Sequence, residues 1–496
     1  MQKILKIVAG IVFTLLFAGV LIQLFYPELI DSFLGGQKHK TGDYSRDLVI
    51  ALDSEHRDLE PTFYDLATRN RLLQMYEPLV MPDANLSIKP LLALSFGQLD
   101  AKSWMFRIRS GVKFHDETEL DADDVIASIK RAKNYEDSHL RDILSNIDEI
   151  FKVSDTEIEI HLKDKDPLFL SKISTVLIVP GEYQRGDIKK PVGTGPYMYV
   201  KEDGKGLSMK RFEEYWGNKA LYKSVSVVSL LTAQDFDIAA NVPPAFLERL
   251  EREGKQIMII VPSMEVTYLV FNFDSEVFED IDMREAVKLA LDRSVFEEMG
   301  GSHVLPASQF VSGGVYGFNP EIEVSEQDVL LAKNYVKLVY SFDRPEVTLD
   351  ILTGQEAVGD YIKKQLSDVG IDVYVNILPF EELEERVMAG EADMYVLGFR
   401  NELGDSYDFY RTAVYKGARY NGGNYDNEIV NDMIDKSITE MNQRKRSEIL
   451  REIMTILVDE DIYGVPLYES QLIYAVDADT VYAPRIDGYI LAKEAK

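Results

Sequence analysis

Six histidines are scattered along the chain, and no two of them form an HExxH pair or another close ligand spacing, so no helix-borne metal site is encoded. His115-Asp116 is the pair best suited to proton transfer. It follows Phe114 in a turn-like stretch, where a structural role is the plainer reading. No GxSxG elbow is present. Gly193-Thr194-Gly195 resembles a fragment of a phosphate loop, but Pro196 stands where such a loop supplies Lys and Ser or Thr. Gly204-x-Gly206 lacks the rest of a dinucleotide fingerprint. Cysteine is absent, which excludes disulfides, thiol nucleophiles, Cys-ligated metals and a lipidated-Cys anchor. With 84 acidic residues, carboxylate pairs are inevitable and do not argue for glycoside hydrolysis. The expectation is a protein that is not an enzyme, with no catalytic residue, no resident metal and no cofactor. The formal charge of −30 repels nucleic-acid phosphates and anionic headgroups, so no nucleic-acid partner is expected.

The elements that would position a binding site alternate between strand and helix. Leu48 to Leu52 is a short apolar run of strand type. Trp104 to Arg109 alternates with period two. Asp121 offers an N-cap with Asp124 at the third helical position, and Val125, Ile126 and Ile129 follow at helical spacing. Strands at Val347 to Leu352, Ile371 to Ile377 and Met394 to Gly398 alternate with amphipathic helices at Ala357 to Val369 and Phe380 to Ala389. That succession predicts an α/β fold with parallel strands. The Pro/Gly-rich stretches near Pro191–Pro196 and Gly313–Pro320 read as turns. At 496 residues, two or three domains are expected.

Lys3 and Lys6 precede an uncharged run from Ile7 to Phe25, and Glu28 and Asp31 follow it. At about 1.5 Å per residue, the run nearly spans a hydrocarbon core. The flanking charges place the N-terminus inside and the body outside. The reading favoured here is one uncleaved transmembrane helix in residues 1–27, with a polar spacer over 28–45. A cleaved signal peptide is the alternative. Both put the body on the extracytoplasmic side.

Trp104 to Asp116, followed by Ala122-x-Asp124-Val125-x-x-Ser128-x-x-Arg131, resembles the signature of the family 5 extracytoplasmic solute-binding proteins. These are the dipeptide, oligopeptide and nickel receptors of ABC importers. Tyr76-Glu77-Pro78-Leu79-Val80, Val192-Gly193-Thr194-Gly195-Pro196-Tyr197 and Tyr215-Trp216 resemble further family elements in the family's order, as do Asp237 with Val242-Pro243-Pro244, Phe271-Asn272, Asp292-Arg293 and Pro466-Leu467-Tyr468. The resemblance covers roughly residues 46 to 485. It implies a bilobal periplasmic-binding-protein-like fold with an extra inserted domain. Domain I would comprise 46–76, 186–265 and 463–496, the inserted domain II 77–185, and domain III 266–462. It also implies a monomer that captures short peptides in an interdomain cleft and delivers them to ABC permease and ATPase subunits. Sensing without transport, or a non-peptide solute such as a nickel complex, stays open.

In peptide-binding relatives an Asp on a third-domain loop holds the peptide amine, and the resemblance places Glu402 at that position. A preorganised carboxylate replaces the water around an ammonium through charge-assisted hydrogen bonds. Phe399 stands where the family has a Trp, offering an apolar wall. Asn401 lies between them, Arg400 could meet a ligand carboxylate or a neighbouring acid, and Asp405 suits a structural turn as well as a ligand contact.

Overall fold

The computed structural model describes residues 47–53, 59–184, 188, 190–204, 206–260, 264–299, 304–341 and 343–496. A seven-stranded sheet runs in the order Gln256–Ile260, Leu472–Val476, Ile238–Ala240, Leu48–Leu52, Ser224–Ser229, Gly206–Arg211 and Tyr197–Asp203. Leu48–Leu52 pairs in parallel with both neighbours, setting Ile50 opposite Val227 and Ile238. All its residues but Val49 are buried, as a strand covered on both faces requires.

A four-stranded antiparallel sheet is built from Ala93–Gln98, Ser103–Ile108, Glu157–Leu162 and Ile147–Ser154. The helix Ala122–Asn134 packs with it, burying Val125 and Ile129 beside Phe106, Ile158 and Ile160. The expected cap forms in full. Asp121 accepts the Asp123 and Asp124 N–H groups, and Asp124 accepts the Asp121 N–H at 3.0 Å.

The other lobe is built on a six-stranded sheet, in the order Val304–Pro306, Gly464–Ser470, Glu265–Phe271, Met394–Arg400, Glu346–Leu352 and Asp372–Leu378. Glu346–Leu352 is parallel to both its neighbours, as the strand–helix succession predicts. The sheet as a whole is mixed, because Glu265–Phe271 runs antiparallel to Met394–Arg400 and to Gly464–Ser470. One expected boundary is corrected here. Residues 463–470 were expected with domain I, but Gly464–Ser470 pairs in this second sheet, and only from Leu472 does the chain join the seven-stranded one. The two strands follow each other almost without a break, and a strand's own sequence does not name its hydrogen-bonding partner.

The motifs converge. Glu77, buried, accepts hydrogen bonds from the Thr194 hydroxyl at 3.1 Å, the Tyr215 hydroxyl at 2.6 Å and the Trp216 indole N–H at 2.8 Å. A Cβ on Gly193 would lie 2.2 Å from the Met75 carbonyl oxygen, so this turn is a packing device. His115 Nδ1 accepts the Gly193 N–H at 3.3 Å, and Nε2 lies 2.9 Å from the Gly195 carbonyl. Burial pulls the imidazole down to about 4, and the neutral ring makes both contacts. The apolar run Ile7 to Phe25 and the spacer 28–45 lie outside the described residues. Among the described residues, no helix is long and apolar enough to cross a membrane.

Candidate functional site

The strand Met394–Arg400 ends at the boundary between the lobes, with Arg400 in register with Glu265 of the neighbouring strand. The loop that follows starts on Asn401, whose N–H donates to the Met264 carbonyl at 2.9 Å. The Asn401 side chain is fully buried, and neither its oxygen nor its nitrogen has a partner among the described residues. Arg400 reaches both ways. Its Nε lies 3.1 Å from Glu402 Oε1, and its Nη2 donates to the Asp487 carbonyl of the opposite lobe at 2.8 Å. Burial pulls the Arg400 guanidinium down, but Glu402 and Glu265 outweigh it and hold it above its usual range.

Glu402 lines a cleft between the lobes, facing Tyr64, Arg69, Asp487 and Tyr489. Its side chain keeps 32% exposure. Desolvation in the cleft nevertheless raises its carboxyl, with Arg400 opposing the shift. The Tyr64 hydroxyl lies 3.5 Å from the Glu402 backbone carbonyl. Burial pushes the Tyr489 hydroxyl up to about 12, with Arg69 opposing and Glu402 adding to the rise. Asp408, on the short helix Ser406–Phe409, is raised to about 7 by burial and by the nearby Glu402 and Asp405 charges.

The remaining candidates point elsewhere. Asp405 accepts the Tyr407 N–H at 3.0 Å as the cap of that helix, and its two oxygens take Arg446 Nη1 at 2.5 Å and Nη2 at 2.9 Å. Both side chains are buried, so Asp405 fixes the loop from beneath. Phe399 packs edge-on against Phe409 with ring centroids 5.5 Å apart, toward the core of its own lobe. Of the five sequence candidates, Glu402 lines the cleft and Arg400 spans it.

Polar cleft residues that the sequence reading missed include Tyr64, Arg69, Asp487 and Tyr489. Arg69 sits on the helix Leu66–Leu72, whose N-cap Asp65 accepts the Thr68 N–H at 2.8 Å. Its position just before the Tyr76-Glu77-Pro78 motif was the available signal. Asp487 and Tyr489 sit near the C-terminus on no motif, and only the fold brings them in. The site sets Glu402 and Arg400 on one lobe across from Arg69 and Asp487 on the other. Among the described residues, no group of three or more His, Asp or Glu is placed to hold a metal ion.

Residues 87–421 match the family model of the bacterial extracellular solute-binding proteins, family 5 Middle. The dipeptide-binding protein of Escherichia coli (strain K12) is 23% identical over 417 residues, covering 73% of this chain and 77% of that protein. The ABC transporter-associated periplasmic binding protein DppA from Helicobacter pylori, solved in complex with peptide STSA, aligns with a TM-score of 0.74 at 19% identity, over 91% of this chain and 98% of that one. NikZ from Campylobacter jejuni, in complex with Ni(L-His), aligns with a TM-score of 0.75 at 18% identity, over 90% and 99%.

Proposed function

The chain belongs to family 5 of the bacterial extracellular solute-binding proteins, and from that membership we propose that it captures short peptides between its lobes and hands them to an ABC importer. The observation that carries the peptide reading is Glu402, a carboxylate that lines the interlobe cleft on the loop after Met394–Arg400. A peptide ammonium placed there makes its hydrogen bonds away from bulk water, where a charge-assisted bond gains most. The dipeptide-binding relative and the peptide-bound neighbour support the same ligand class. In this reading residues 1–27 hold the body at the extracytoplasmic face of the membrane, replacing the lipid tether that the absence of cysteine excludes. The sheet pairing supports a division into 46–76, 186–265 and 471–496 as one domain, 77–185 as an inserted domain and 266–470 as the third.

Titration calorimetry with free di- to pentapeptides tests the reading. We expect at least one length to bind, and Glu402→Gln to weaken it by about thirtyfold or more, the typical cost of removing one partner of a desolvated charged contact. Binding of Ni(L-His) with silence toward every peptide would overturn the peptide reading.

A further inference from the structure

Among the described residues, two aliphatic side chains sit on left-handed backbone, Leu86 at φ 64° and Ile462 at φ 49°. A β-carbon makes that conformation costly, and glycine or asparagine holds it with less strain. Ile462 is 2% exposed and part of a core cluster, so packing accounts for it. Leu86 is half-buried and belongs neither to a core cluster nor to the apolar residues packed against one. It lies in the turn of the hairpin Val80–Pro82 and Ile88–Pro90, a two-stranded sheet of its own. Asp83 Oδ1 accepts the Asn85 and Ser87 N–H groups, each at 3.0 Å, and the Leu86 N–H donates to the Asp83 carbonyl at 3.0 Å. Arg485 holds the turn from the C-terminal segment, donating to the Pro82 carbonyl at 2.8 Å and the Asp83 carbonyl at 3.3 Å. Asparagine or glycine at position 86 would serve this turn better, so the reason for leucine is what its side chain meets.

That side chain meets the cleft. Leu86 lines it with Met81, Ile88 and Leu403. A Cβ on Gly404 would lie 3.0 Å from Leu86 Cδ1, so the leucine rests against the backbone two residues beyond Glu402. Leu403, like Leu86, packs on no core cluster. Ser174 and Thr175 line the cleft too, but their hydroxyls donate to the Ser171 and Lys172 carbonyls at 2.7 Å and 2.6 Å. The end of the cleft that holds the Glu402 carboxylate thus carries an aliphatic wall, part of it from the hairpin. A polar group pressed against that wall loses its water without gaining a hydrogen bond, whereas an aliphatic group gains by leaving water.

We infer that Leu86 is a specificity-determining residue: it faces the first side chain of a peptide whose ammonium lies on Glu402, and it favours peptides that begin with an aliphatic residue over those that begin with a polar or charged one. This deepens the peptide reading and rests on it. The hairpin then acts as a third wall of the cleft, selecting by side chain while Glu402 selects by charge.

The full chain is titrated with Leu-Ala-Ala, Ser-Ala-Ala and Lys-Ala-Ala. We expect Leu-Ala-Ala to bind about tenfold or more tightly than the other two, the typical return on burying one aliphatic side chain. Leu86→Asn suits the left-handed turn, so its unfolding midpoint should be no lower than that of the wild type. Its preference for Leu-Ala-Ala should fall by about threefold or more. A wild-type protein that binds the three peptides equally well overturns the inference and leaves the peptide reading standing. So does a Leu86→Asn protein that keeps the full preference, and so does one that unfolds well below the wild type, because leucine would then be required for packing. A wild-type protein that binds none of the three, nor any other di- to pentapeptide, overturns both.

Discussion

Removing one partner of a buried ion pair strands the other charge, and Asp405–Arg446 is the pair in which that cost falls beside the cleft. Arg446→Ala should destabilise the lobe by about 3–5 kcal/mol, read as a lowered midpoint in thermal unfolding. Two other residues act through protons, with opposite signs. Burial holds His115 near 4, against 6.5 for an ordinary imidazole. The unfolded chain therefore binds the proton first, and the His115 contribution to stability is lost as pH falls from 6.5 toward 4. Asp408 is raised from 3.8 to about 7. The folded state holds that proton more tightly, so stability from this group falls as pH rises across that window. Unfolding midpoints measured between pH 4 and 8 should show Asp408→Asn losing the decline toward neutral pH, while the acid side persists. An unchanged profile would mean that Asp408 titrates normally. At this scale the sequence was partly legible. Glu402 could be placed by its position in a motif, and Asp405 by its turn chemistry. The reach of Arg400 to the Asp487 carbonyl depends on what faces the loop across the cleft, which no local pattern records.

Elements were more legible than their partners. The capping box at Asp121, the helix Phe380–Ala389 and the alternation over Trp104 to Ile108 each follow from spacing, and each is present. Strand neighbours were not legible, as the passage from Gly464–Ser470 to Leu472–Val476 shows. Two glycine motifs that looked alike in sequence separate here. A Cβ on Gly195 would meet the Met75 and Gln74 backbone at 2.6–2.8 Å, whereas one on Gly204 would meet nothing within 4 Å. Gly195→Ala should therefore cost about 1–3 kcal/mol or more through overpacking against backbone that cannot move aside. Gly204→Ala should leave the unfolding midpoint unchanged. Equal midpoints for the two variants would show that the Gly193–Gly195 turn is not a packing device.

At the scale of the whole molecule, the lobes touch through Arg400 and the Asp487 carbonyl and are joined near Gln471, where adjacent strands enter different sheets. Hinge closure about such a joint is the motion expected of a two-lobed receptor. Small-angle scattering should give a smaller radius of gyration with saturating peptide than without, and superimposable curves would argue for a rigid cleft. The same joint has a consequence for synthesis. Leu472–Val476 lies inside the seven-stranded sheet, between Gln256–Ile260 and Ile238–Ala240, and it is the last described strand to leave the ribosome. The lobe whose first strand is made earliest is thus the last able to seal its sheet. Until that strand is made, the seven-stranded sheet keeps a gap between Gln256–Ile260 and Ile238–Ala240, so the order of the strands delays the completion of this lobe.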